Sequence, residues 1–367
     1  MWVLPTNGLD RSLHLPIFIG LLVVTYFTEA FGWTYAGLVV PGYLAAVSLA
    51  APVTTLLITV EAILVYFFVS IIGQWIPKVG AWSTSFGRER FFLFIVVSAL
   101  MRVVFEGVLI PRLPFAWVQG HSRELYSVGL VLVPLYANVF WNSGFLHSAP
   151  RLGIVSLITF GGVLLLSKWT NYSVSHLLMA NESGASEFMR SSKAQIILLF
   201  GALLGARGNV LYGWDYNGIL VPSLLAVAWY APKKLFATFA EAILVYLLSK
   251  WITSKPPFSR MLIVGTRRML VVFSIGLILK FTLGYTLLRF APSVELPDYL
   301  GFGYILPSLL AVKMWNKGQI GVVLMPTIQV SLLAFLGGNV LGYGMNTVTS
   351  SFTARAEQRA PMLLRAT

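Results

Sequence analysis

The chain contains no cysteine, which excludes disulfides and thiolate-held metals. Its four histidines, His14, His121, His147 and His176, stand too far apart in sequence to suggest a cluster, so no metal and no cofactor is expected. Charge is scarce as well: 11% of residues are Asp, Glu, Lys or Arg, and only 13 are acidic. There is no G-x-x-x-x-G-K-[ST] phosphate loop, and no hydrophilic segment gathers Ser, His and Asp. An ATP-driven reaction would therefore have to be done by a partner, and no catalytic residue is assigned to this chain.

What the chain has in quantity is apolar surface. Hydrophobic residues make up 57% and the mean hydropathy is +0.80, far above soluble domains, so membrane lipid is the expected surrounding. The first apolar segment, Leu15 to Tyr26, is followed directly by Glu29 and Phe31-Gly32-Trp33 without a small-residue cleavage pattern, and is read as a retained membrane helix. The formal charge of +13 is read as Lys and Arg held in loops between spans. Nucleic acid is a poor partner, since no soluble basic domain exists to carry it.

One segment recurs. Gly37-Leu38-Val39-Val40-Pro41-Gly42-Tyr43-Leu44-Ala45 returns as Gly218 to Ala226, with Pro222, and as Gly303 to Ala311, with Pro307; a looser fourth copy around Pro134 runs from Val131 to Ala137. An apolar run, then Pro, then small residues is the pattern of a chain that starts a helix at the Pro. At membrane depth such a break is tolerated only where protein or a water-filled cavity covers the freed backbone.

Spans of roughly 20 residues fall at 14–31, 53–76, 89–110 and 151–168, with Pro segments at 37–50 and 129–142 between them. After a polar stretch the pattern starts again, with spans at 194–212, 233–252, 264–288 and 319–342 and Pro segments at 218–230 and 303–316. The expected organisation is a first membrane repeat over 1–168, a linker over 169–193, a second repeat over 194–345 and a basic tail over 346–367. The fold class is all-α: about eight transmembrane helices plus four Pro-broken or re-entrant segments. If the Pro segments re-enter, the linker, the tail and the basic loops at 78–90 and 250–268 share one face. If they cross, the linker and tail lie opposite those loops.

The repetition reaches individual residues. Glu61-Ala62-Ile63-Leu64-Val65-Tyr66 recurs unchanged as Glu241 to Tyr246, with Pro52 and Pro232 at the same distance before it. Gly87 and Arg90 match Gly265 and Arg268; Arg102 and Lys280 follow those arginines at equal spacing; Trp141-Asn142-Ser143-Gly144 echoes Trp315-Asn316-Lys317-Gly318. The chain is an internal duplication.

At these residues the chain resembles the PgsC/CapC family, the small membrane subunit of the bacterial poly-γ-glutamate capsule synthase. Gly37 to Leu44 matches that family's first segment; Gly87-Arg88-Glu89-Arg90 with Arg102, and Gly265-Thr266-Arg267-Arg268 with Lys280, match its basic cluster and following cation; Val133-Pro134 and Leu306-Pro307 stand in for a later V-P-G without its Gly. The resemblance covers 20–168 and again 195–342, as two family units joined head to tail. It implies a non-catalytic, multi-pass subunit of the bacterial inner membrane. Such a subunit works beside a cytoplasmic ATP-dependent Mur-type amide ligase and an extracytoplasmic accessory subunit to make and export an anionic polyamide. Two alternatives stay open: a secondary transporter for a small anion, since repeats with broken helices are a transporter construction, and an assembly scaffold for the ligase.

The candidate residues are the ionisable ones inside spans. Glu61 and Arg102 each lie about 14–15 residues in from the loop joining their spans, roughly 21–22 Å at 1.5 Å per residue, so they reach one depth; Glu241 and Lys280 repeat this, and Glu106 lies one turn after Arg102. They are read either as structural salt bridges or as the lining of a path for an anionic chain. The Pro segments offer helix N-termini to an anion, or else tight packing through Gly and Ala. Arg88, Arg90, Arg267 and Arg268 set topology or dock the ligase. Trp33, Tyr35, Trp75 and Trp214 are expected as interface anchors, and Asn209, Asp215 and Asn217 as ordinary loop residues.

Overall fold

The computed structural model describes residues 14–33, 40–50, 52–75, 88–105, 122–169, 192–213, 220–230, 232–290 and 305–363. Among them there is no strand, and the fold is all-α as the apolar runs predict. The first repeat supplies α1 (His14–Phe31), α2 (Val40–Ala50), α3 (Pro52–Trp75), α4 (Arg88–Val104), α5 (Ser122–Ser143) and α6 (Phe145–Trp169). The second supplies α7 (Ser192–Tyr212), α8 (Leu220–Ala228), α9 (Pro232–Thr253), α10 (Thr266–Phe290), α11 (Ile305–Lys317) and α12 (Gly321–Leu363). Among the described residues four helices are long and apolar enough to cross a membrane: α3, α6, α9 and the Gly321–Gly344 part of α12. They are the third and sixth of each repeat. Of the other expected spans, α1 and α7 carry shorter apolar stretches among the described residues, Leu15–Phe31 and Ile196–Gly208.

The helix stops repeat too. Gly32 and Gly213 follow α1 and α7 at φ +65° and +61°, and Gly144 and Gly318 follow α5 and α11 at φ +77° and +70°. Left-handed backbone after a helix is where glycine has no Cβ penalty, so the shared W-N-x-G is a helix terminator.

Packing follows one plan twice. α1, α2 and α6 pack together, as do α3, α4 and α5, with α2 on α3 and α5 on α6 joining the triplets. α7, α8 and α12, and α9, α10 and α11, repeat this, joined by α8 on α9 and α11 on α12. Between the repeats α1 packs on α10 and α4 on α7. First helix meets fourth helix in both directions, the reciprocity of a two-fold dimer interface. The buried part of the seam is apolar: Ile17, Leu21 and Ala46 belong to the core of the second repeat, and Ile95 packs with Leu198, Ala202 and Ala206.

Contacts along the helices give their directions. The Arg151 guanidinium near the start of α6 lies 5.6 Å from the ring centre of Trp33, just past α1, while Gly162 further along α6 meets Ile19 near the start of α1. α1 and α6 are thus antiparallel. Tyr66, in the second half of α3, stacks on Phe145 at the start of α6, centroids 5.7 Å apart. α1 and α3 therefore end on the same side. Gly42, in the first turn of α2, lies beside the first turn of α1, where a Cβ on it would lie 2.4 Å from the Ile17 Cα.

The Pro segments differ from expectation in one respect. Pro41, Pro222 and Pro307 each lie in the first turn of a short helix, of 11, 9 and 13 residues respectively, as a residue without an N–H allows. Pro134 instead lies inside the 22-residue α5. Packing on α3, α4 and α6 carries the helix through the lost hydrogen bond, as neighbouring helices do around membrane prolines. The stretch from Asn346 continues α12 without a break to Leu363. Most of the expected linker, 170–191, lies outside the described residues.

Candidate functional site

Glu241 lies mid-way along α9 and Lys280 in the second half of α10. The Lys280 ammonium is 3.0 Å from both carboxylate oxygens of Glu241, and the two side chains are 2% and 9% exposed. The sequence reason is register: α9 and α10 are antiparallel neighbours, and residues equally far from the joining loop reach one depth. A buried charge is costly unless partnered and hydrogen-bonded, and here one ammonium serves both oxygens. In the first repeat Glu61 on α3 is fully buried and Arg102 on α4 is 3% exposed, on helices that also pack together. Each repeat thus encloses one acid and one base at corresponding positions. Glu106 lies outside the described residues.

The arginines of the basic clusters have definite partners. Arg90 donates through Nη2 to Asn142 Oδ1 at 3.0 Å, with its guanidinium 5.3 Å from the Trp141 ring centre. Arg268 donates through Nη1 to Asn316 Oδ1 and sits 5.5 Å from the Trp315 ring centre. Its Nε and Nη2 share the Ile263 carbonyl, each at 3.3 Å. A planar fork that stacks on an indole while hydrogen-bonding at its edge is a role for Arg and not Lys. These side chains tie the start of the fourth helix to the end of the fifth in both repeats. Arg267 bridges to Glu29 of α1 at 2.5 Å, with Thr266 Oγ1 donating to the same carboxylate at 3.3 Å, across the seam between repeats. Arg88 opens α4.

The W-N echo is visible in the sequence, but its link to the arginines is not, because the partners lie a helix pair apart. Glu29 likewise reads in the sequence only as a residue that ends an apolar run. The signal for Asn142 and Asn316 was available: an amide conserved between the repeats beside a shared Trp.

The opening of α2 is packed against backbone. A Cβ on Gly20 would lie 2.6 Å from the Gly42 nitrogen, so α1 and α2 touch main chain to main chain, the close approach that small residues permit. In the second repeat Gly201 meets Ser223 in the same way, a Cβ there lying 2.6 Å from its Oγ. Gly37, Gly218 and Gly303 lie outside the described residues. Among the described residues no group of three or more His, Cys, Asp or Glu could hold a metal ion.

Comparison with known proteins places these features. The family described as "Capsule biosynthesis CapC" matches residues 19–149 and again 200–323, the two repeats in turn. The "PGA biosynthesis protein CapC" of Bacillus subtilis (strain 168) is 29% identical over 156 residues, which is 42% of this chain and 89% of that protein. The "Capsule biosynthesis protein CapC" of Bacillus anthracis is 29% identical over 133 residues, 36% of this chain and 80% of that protein. No solved structure matches the chain. With both halves matched, the chain belongs to the capsule biosynthesis CapC family, as two family units in one polypeptide.

Proposed function

We propose that this protein is the non-catalytic membrane subunit of a complex that makes and exports an anionic polyamide capsule polymer, poly-γ-glutamate or a relative of it, in the bacterial cytoplasmic membrane. A cytoplasmic ATP-dependent amide ligase supplies the bond-forming chemistry, and an extracytoplasmic subunit completes the assembly. The observation that carries this reading is the acid and base buried in each repeat, paired as Glu241–Lys280 in the second and present as Glu61 and Arg102 in the first, within a chain of the CapC family. A cation held at membrane depth by one carboxylate can exchange that carboxylate for another, and a polymer with a carboxylate on every residue supplies a succession of them. In this reading each repeat crosses the bilayer six times, counting the Pro segment after α1 as a crossing, so the linker and tail lie opposite the basic loops.

The test is co-purification of the protein from its native membrane, with ligase and bound polymer analysed, alongside anion uptake into liposomes that hold the protein alone. An associated amide ligase and a γ-linked polymer support the reading. Uptake by the isolated protein with no ligase attached would replace it with the transporter reading.

A further inference from the structure

We infer that the loop joining α9 to α10, residues 254–264, is an anchor for an anionic phospholipid surface. The loop is built rather than loose. Ser259 N–H donates to Lys255 O at 3.0 Å, Arg260 to Pro257 O at 3.2 Å and Met261 to Phe258 O at 3.0 Å, and the Arg268 fork holds the Ile263 carbonyl from the protein side. That clamp leaves the neighbours of Ile263 outside: Met261 is 59% exposed, Leu262 74% and Val264 48%. An ordered cluster of large exposed apolar side chains marks a surface that meets something other than water.

Two things say what covers it. The first is position: the cluster follows the end of α9, a helix apolar enough to cross whose exposed face carries Leu244, Leu247 and, at its end, Trp251, where a crossing helix leaves the hydrocarbon layer. The second is charge. No Asp or Glu occurs between Glu241 and Glu295, and Lys255 and Arg260 are exposed and make no ion pair among the described residues. Apolar residues that dip to the acyl boundary beside cations that stay among headgroups are the two parts of interfacial binding. Anchoring of this kind fixes the end of α9, and with it the depth of Glu241.

The absence of native cysteine gives a direct test. Leu262→Cys, exposed and therefore free of a packing role, is labelled with an environment-sensitive fluorophore. The labelled protein is placed in nanodiscs of phosphatidylcholine alone or mixed with phosphatidylglycerol, and gel filtration confirms its fold. The expected result is blue-shifted emission quenched by spin-labelled lipid. Anionic lipid should be preferred by roughly thirtyfold in affinity, the effect of two cations near such a surface, and Lys255→Gln with Arg260→Gln should abolish that preference. A probe open to aqueous iodide in both lipids overturns the anchor. Lipid contact indifferent to phosphatidylglycerol and to the double substitution overturns the anionic preference, and shielding that requires an added acidic protein assigns the surface to that partner instead.

Discussion

Replacing Glu241 by Gln keeps the side chain's shape and removes its charge, which isolates what the carboxylate does for Lys280. In the folded protein the ammonium is 2% exposed and has both carboxylate oxygens at 3.0 Å, so the variant leaves a buried cation with an amide in place of its counter-ion. Breaking a buried pair on one side costs about 3–5 kcal/mol, or roughly two to three and a half orders of magnitude in the folding equilibrium. Lys280→Met, which leaves the Glu241 carboxylate buried without its counter-ion, should cost a comparable amount. Glu241→Gln combined with Lys280→Met should recover all but about 1 kcal/mol, so the double loss falls short of the sum of the two single losses by more than about 2 kcal/mol. Equilibrium unfolding in mixed micelles, followed by tryptophan fluorescence, measures all four states. Strictly additive losses would refute the reasoning, since residues that share a buried ion pair cannot be independent. The double variant also separates structure from transport. If it folds and polymer output returns, the pair holds helices only; if it folds and output stays lost, the charges act on the polymer.

Three further outcomes are expected. In intact cells a membrane-impermeant thiol reagent should label a cysteine at only one of positions 190 and 260, because α1 and α3 end on the same side; labelling at both would refute the extra crossing. Gly42→Ala should destabilise by about 1–3 kcal/mol, since its Cβ would lie 2.4 Å from the Ile17 Cα, whereas Gly153→Ala, with nothing within 4 Å, should be neutral; equal effects in thermal unfolding would remove the close-contact explanation. Arg268→Lys should lose about 1–2 kcal/mol as the fork between Asn316 and Ile263 is lost, while Arg267→Gln, in a solvent-screened ion pair 54% exposed on the Arg side, should lose less. The reverse order in unfolding measurements would mean that the seam, and not the staple, holds α10.

Most of the architecture is legible in the chain because it is written twice. Glu61 to Tyr66 and Glu241 to Tyr246 place an acid at the same depth in two helices, and equal spacing from the joining loop locates the cation opposite, which is how Lys280 could be matched to Glu241 before any coordinates. Two things were harder to read. Pro134 looks like a helix start by local sequence, yet it lies inside α5, because packing on neighbouring helices outweighs one missing hydrogen bond. The arginine staples depend on which helix ends meet, and hydropathy fixes the number of elements more readily than their neighbours. For the same reason Gly42 suggested a helix N-terminus open to an anion as readily as close packing, and only the position of α1 reveals the backbone pressed against it.

The seam between repeats carries a further step. In a two-fold dimer of single units, every contact occurs twice and a residue cannot change on one side alone. Fusing the units lifts that constraint, and the polar contacts of the seam have diverged while its helix pairing has not: α1 still meets α10, and α4 still meets α7. Arg267 pairs with Glu29, but the residue before Arg90, where the first repeat would have its counterpart to Arg267, is Glu89. The residue three before Gly213, which corresponds to Glu29, is Val210. The ion pair could not form twice, so the two halves of the seam are no longer interchangeable. The same asymmetry reaches the buried pairs, where the first repeat has Arg102 and the second Lys280: Arg keeps its charge under all conditions, while a buried Lys can give up its proton. If the repeats share one task equally, Arg102→Lys and Lys280→Arg should lower polymer output to the same degree. If fusion has let them specialise, the two exchanges should differ, with Lys280→Arg the more harmful. Equal losses would show that the divergence at the seam has not reached the site.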